Sequence, residues 1–223
     1  MRVSDALKSR ISCRAFTEQP VERDVIERIL VHAGMAPSGG NLQPWHVDVL
    51  AGCALANLLD DINAKSDLLP KGEGTEYQVY PPGLPDPYAG RRSKCGADLY
   101  SILGIERHDR AGRMRQFARN FTFFDAPVGL FISVDRDMGP PQWADLGIFI
   151  QSIMLMAREE GLHTCPQEAW ASFSKTVSAH LNLPDERMLF CGIALGVMDD
   201  QKPENGLRTD RMSLDEFVSF HGI

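Results

Sequence analysis

The run VGLFISV at residues 128–134 is apolar and rich in β-branched side chains along its whole length, so it reads as a strand buried on both faces. A second such run, residues 189–197, carries Gly192 and Gly196 among apolar neighbours, as a central strand does where another group comes close. Between them Trp143, Leu146, Ile150, Ile153, Met154 and Ala157 recur at three- and four-residue steps, the stripe of a long core helix. Strands buried on both sides need helical cover, and the rest of the chain supplies it. A first helix capped by Ser4 and Asp5 runs toward Arg10, and a second over 22–36 carries Val25, Ile26, Ile29, Leu30 and Ala33. A strand at 46–50 follows, with Val47 and Val49 alternating with polar neighbours, then a helix through Leu55, Leu58, Leu59 and Ile62. The predicted order is α, α, β, α, α, β, α, α, β, a mixed α and β layer protein and not a doubly wound dinucleotide fold. No linker divides the chain, and 43% hydrophobic residues are enough for one core, so a single domain is expected over 1–223.

Residues 66–90 hold Pro70, Pro81, Pro82, Pro85 and Pro87 among several glycines, which predicts a long surface loop that either covers a ligand or is a plain insertion. The next stretch, 91–119, carries eight Lys/Arg against three acids. It reads as a solvated helix face or as a lure for an anionic ligand. The whole chain has a net charge of −7, which argues against nucleic acid and anionic membranes as partners. Five scattered cysteines form no CxxC pair, and His163 beside Cys165 lacks further ligands, so neither a disulfide framework nor a metal site is expected. The longest apolar stretch, 148–157, is interrupted by Gln151 and Ser152, and MRVSDALKSR has no apolar signal core; a cytoplasmic protein is expected.

Four segments carry candidate chemistry, and none is a usual nucleotide motif: there is no GxGxxG after a strand, no Walker A, no HExxH and no GxSxG. In SRISCRAF, Arg10, Ser12 and Arg14 alternate, so an extended backbone points two guanidiniums and a hydroxyl to one side, where they could clamp a phosphate or simply be a surface basic pair. In APSGGNLQPWH, Pro37, Ser38, Gly39 and Gly40 enforce a turn with exposed amides, and Asn41 and Gln43 add amide side chains; a plain helix-to-strand turn is the alternative. LHTCPQEAW reads as a loop after the long helix, with Pro166, Gln167, Glu168 and Ala169 able to present backbone amides to a ring edge. NGLRTDR puts Arg208 and Arg211 on a polar tail that has too few apolar residues to stand alone.

In order, spacing and flanks these segments resemble the FMN-dependent nitroreductase family, whose pattern is RxSxRxF, PSxxNxQPW, GLxTCPQE and NxxRTxRxxLDEF. LPDPYAGRRS at 84–93 echoes the nitrobenzoate-reductase-like branch. The resemblance implies a three-layer α+β fold, with a mainly antiparallel sheet between helices, and an intertwined homodimer in which a C-terminal extension from about 198 wraps the partner. It further implies that Arg10, Ser12 and Arg14 hold the FMN phosphate and ribityl chain with Arg208 and Arg211. Pro37, Ser38, Gly39 and Asn41 would then lie against the flavin of the other subunit, the backbone near Glu168 and Ala169 would lie at the flavin's N5 edge with Gln167 beside it, and Gln43 and Pro166 would be further cofactor contacts. Ile11 stands where the family often has a basic residue or an imidazole, and Asn120 is a candidate flavin contact. The activity implied is ping-pong electron transfer from NADH or NADPH to a small aromatic acceptor, a nitroarene or a quinone, with the flavin carrying the chemistry and no catalytic side chain. Other reactions on such a scaffold are enone reduction, dehalogenation, heterocycle oxidation and flavin breakdown; a non-catalytic redox sensor is a third class. Phe123 and Phe124, with the 70–90 loop, are candidates for stacking on the acceptor, though aromatics also fill cores.

Overall fold

The computed structural model describes residues 1–222. Its centre is a four-stranded antiparallel sheet built from β1 (His46–Ala51), β2 (Val128–Asp135), β3 (His163–Gln167) and β4 (Arg187–Gly196), in the order β1-β2-β4-β3. On one face lie α2 (Arg23–Ala33) and α6 (Pro140–Glu159), which meet Val128, Leu130, Ile132, Ile193 and Leu195. On the other face α3 (Gly52–Asn63) and α7 (Ser174–Leu181) cover Leu50, Phe131, Leu189 and Ala194. This is the expected α+β layering, with the two predicted buried strands in the middle of the sheet. The remaining helices are α1 (Val3–Ser9), α4 (Tyr88–Ile102) and α5 (Arg110–Ala118).

The glycines of the central strands make room for aromatic rings. A side chain at Gly192 would run into the indole of Trp170, and one at Gly129 into the ring of Phe123. Trp170 and Phe123 belong to a buried cluster with Phe121, Phe131 and Phe173, whose ring centroids are 4.5–5.5 Å apart in the Phe123–Trp170, Phe131–Trp170 and Phe121–Trp170 pairs. The pairing of β2 with β4 slips at Ile132/Ser133, where Cys191 and Leu189 face successive residues and Phe190 is the extra one. The free carbonyl of Phe190 accepts the hydroxyl of Tyr77.

Several expectations need correction. The first helix is capped by Arg2 and not by Ser4 or Asp5, and no side chain caps it. Segment 162–170 is not a loop, because His163–Gln167 is a strand followed by a 3-10 turn over Glu168–Ser172. Pro166 hid it, yet β3 pairs with β4 on one side alone and meets only a single bridge, Ser12 to Thr164, on the other, so at Pro166 a residue without an N–H is tolerated. β1 lies at the opposite edge, so Val49 is 42% exposed while Leu50, on the other face, is buried.

The 66–90 loop is pinned at its start and becomes helical at its end, since Tyr88, Ala89 and Gly90 open α4. Glu73 is nearly buried; its carboxylate accepts Lys65 Nζ at 2.6 Å, Thr176 Oγ1 at 2.7 Å and the Thr176 amide at 3.0 Å, which satisfies a free N–H of the first turn of α7. Those three donors outweigh burial and hold the Glu73 carboxyl below its usual range. Glu76 pairs with Arg136, and Tyr77 packs against Trp143 and Phe190.

Candidate functional site

Arg10, Ser12 and Arg14 lie just beyond α1, in an extended segment that runs beside β3: Ser12 bridges to Thr164, and the Cys13 amide donates to Thr164 O at 3.0 Å. The tail reaches the same place through Asn205, which is 4% exposed. Its Oδ1 accepts the Arg14 amide at 2.8 Å and its Nδ2 donates to Ala15 O at 2.8 Å, while its own carbonyl accepts Arg208 Nη1 at 2.9 Å. Two stretches almost two hundred residues apart are thereby locked into one wall. The result is a cleft of about 430 Å³ lined by Arg10, Ser12 and Arg14 together with Arg208, Thr209 and Arg211.

None of these four arginines has a carboxylate partner within 4.0 Å among the described residues. Burial, and after it the charge of Arg211, pushes the Arg10 guanidinium below its usual range. His163, at the start of β3, feels the same field: burial and then Arg158 and Arg208 push its imidazole down to about 4. Its Nδ1 faces an N–H of Arg158 at 3.1 Å, and Arg158 also donates to Leu162 O and Ser9 Oγ, tying α6 to α1 beside the cleft. So much like charge, without an internal counter-ion, suits an anion with several acceptor oxygens, such as a phosphomonoester.

From Thr164, opposite the clamp, β3 continues for three residues, about 10 Å, to Gln167. Gln167 is 3% exposed; its Nε2 donates to Asn120 O at 2.7 Å, and its Oε1 has no protein donor. Pro166 and Ala169 are half-buried and Glu168 is exposed at this end. Asn120 is therefore brought to Gln167. The structure thus joins the first, third and fourth segments along one strand.

The second segment is elsewhere. Pro37, Gly39, Asn41 and Gln43 are exposed, Ser38 is half-buried, and the cleft wall includes none of residues 36–43. The turn is fixed from within: the Gly39 amide donates to Asp145 Oδ2 at 3.2 Å, the Gln43 amide to Ser38 Oγ at 2.9 Å, and Gly40, Asn41 and Gln43 take left-handed backbones. Trp45 stacks on Phe149 with centroids 4.6 Å apart.

Phe123 and Phe124 are 0% and 2% exposed, so neither offers a ring face to an acceptor; their left-handed φ values of 50° and 55° turn both rings into the core. Sequence reasoning passed over Asn205, Arg119 and Glu204. Asn205 carried a signal as the first residue of the NGLRTDR segment, and Arg119 only as the last cation of the basic 91–119 stretch; Glu204 carried none.

The model of the nitroreductase family matches residues 7–197. A nitrobenzene nitroreductase from Ectopseudomonas oleovorans is 38% identical over 98% of this chain and 96% of its own length. A 4-nitrobenzoate reductase from Pseudomonas putida is 38% identical over 96% of this chain and 93% of its own. Among solved structures, the FMN and NADPH-dependent nitroreductase NfnB from Sphigopyxis sp. strain HMH superposes with a TM-score of 0.97 at 46% identity, covering 100% of both chains. No helix among the described residues is long and apolar enough to cross a membrane.

Proposed function

This chain belongs to the nitroreductase family, and on that premise we propose that it is an FMN-dependent oxidoreductase passing electrons from NADPH or NADH to a small nitroaromatic acceptor. The observation that carries the reading is the convergence of Arg10, Arg14, Arg208 and Arg211, all without carboxylate partners among the described residues, at one end of a strand whose other end holds Gln167 Oε1, an acceptor with no donor among them. The residues fit the cofactor. Four guanidiniums and the Ser12 hydroxyl would hold the phosphate and part of the ribityl chain, and the Pro166 to Ala169 stretch would support the ring edge. FMN bound there would supply two-electron redox chemistry between the reduced nicotinamide and the nitroaromatic acceptor. The protein binds, orients and shields, and no side-chain nucleophile is assigned.

The proposal includes ping-pong turnover in a homodimer. Gly39 and its neighbours carry the family motif yet lie outside the cleft of their own chain, which supports a site completed by a second copy. The tail supports it as well. Lys94 and Arg91 hold Asp210 and Glu216 against α4, while Leu214, Phe217 and Phe220 are 57%, 61% and 63% exposed, an apolar face that another subunit would cover. Five free cysteines accord with a cytoplasmic location.

The test is anaerobic. NADPH should bleach the visible absorbance of the FMN-loaded protein, and nitrobenzene added after removal of the nucleotide should restore it. Bleaching without restoration would exclude the nitroaromatic assignment. Arg10→Ala combined with Arg208→Ala should weaken FMN binding by roughly 10²–10⁴-fold, since each charge-assisted contact is worth ~1.5–3 kcal/mol.

A further inference from the structure

One charge pair outside the cleft links the arginine clamp to Gln167 at the far end of β3. Arg119 opens the 3-10 stretch Arg119–Asp125 that follows α5. Its Nη1 donates to Glu204 Oε1 at 2.5 Å, and its Nη2 to Asp125 Oδ2 at 3.1 Å. The Glu204 side chain is 4% exposed, so its carboxylate leans almost wholly on Arg119. Directly beside Glu204 is Asn205, which fixes the backbone of Arg14 and Ala15 and the side chain of Arg208. Directly beside Arg119 is Asn120, whose carbonyl and side-chain oxygen accept Gln167 Nε2 at 2.7 and 3.3 Å. A continuous line of directional contacts thus runs from the phosphate clamp to the residue at the ring end, and its middle link is Arg119–Glu204.

The neighbourhood is held under tension at that link. Phe123, Phe124 and Asp125 take consecutive left-handed backbones with φ of 50°, 55° and 67°, an arrangement non-glycine residues resist. Arg119 braces it twice, through Asp125 and by standing 5.7 Å over the ring of Phe124. A buried ion pair is a poor way to gain stability, because a well-packed apolar pair of the same volume does as well; what it adds is a fixed direction and distance.

We infer that Arg119 and Glu204 are a positioning pair that sets the spacing between the arginine clamp and Gln167, so that one FMN meets both at once. The inference rests on the FMN reading. Neither residue lines the cleft; both act through Asn205 and Asn120. A misplaced end costs affinity only for a ligand that must reach both ends, because preorganisation acts on the joint contact.

That distinction gives the test. The double substitution Arg119→Met with Glu204→Met replaces the pair by apolar volume and keeps the fold, as judged by circular dichroism and melting. FMN should then bind about 10-fold more weakly, while riboflavin, which lacks the phosphate, and inorganic phosphate, which lacks the ring, each change by less than about 3-fold. Glu204→Gln, which keeps the shape and one hydrogen bond, should show an intermediate loss, and Arg119→Lys should recover most of the binding. The inference is overturned if either Glu204→Gln or the double variant binds FMN within about 2-fold of the parent, or if all three ligands weaken alike. A parent protein that takes up no FMN overturns the functional reading and this one with it, a result separate from unaffected variants.

Discussion

His163 shows what the cleft does to a single residue. Its imidazole sits among Arg158, Arg208 and apolar packing, and its folded pKa of about 4 lies below the ordinary 6.5. The unfolded chain therefore binds one more proton than the folded one between those two values. Stability contributed by keeping His163 neutral is present above pH 6.5 and is lost as the pH falls from 6.5 through 4. Solvent screening at this half-buried site reduces the effect to ~2 kcal/mol. Denaturant midpoints measured from pH 7.5 to 4.5 should fall less steeply for His163→Gln than for the parent, and parallel curves would show that this residue does not titrate as described. At the same scale, the sequence disclosed the clamp because Arg10, Ser12 and Arg14 alternate, a pattern that extended backbone turns into one face. It could not disclose Arg119–Glu204, whose partners stand 85 residues apart and meet only through the fold. Phe123 and Phe124 misled for a different reason: an aromatic side chain looks the same in sequence whether it fills a core or waits for a ligand.

The elements follow apolar pattern closely where both faces are buried. β2 and β4 were legible because their side chains are apolar on both sides, and Gly192 of β4 announced the close approach that Trp170 makes. Gly192→Ala should accordingly destabilise by ~2 kcal/mol or more, because the new methyl meets a fully buried indole on the neighbouring 3-10 turn. Equilibrium unfolding in urea measures it, and a change under ~0.5 kcal/mol would mean that the indole moves aside freely. β3 was illegible because its composition, HTCPQ, carries little strand propensity; the ladder with β4 imposes the conformation. The 66–90 loop was recognised as a loop, yet its anchors at Glu73 and Tyr77 depend on α7 and β4 and leave no local trace.

For the whole molecule, the sequence reading reached the layer architecture and three of the four site segments that now share one strand. The second segment, around Gly39, stays apart in a single chain, and in the proposed homodimer it completes the site of the other copy. Subunit complementation tests this most directly. One variant carries Arg10→Ala with Arg208→Ala and lacks the clamp; another carries Gly39→Trp, where a Cβ meets only Asp145 Oδ2 at 3.9 Å and the large ring obstructs whatever docks there. Each alone should hold almost no FMN. Mixed by co-expression they form heterodimers in which one of the two sites has an intact clamp from one copy and an intact turn from the other, so about a quarter of the parental FMN should return. No recovery of bound FMN from well-folded mixed dimers would contradict the claim that each site is shared between two chains.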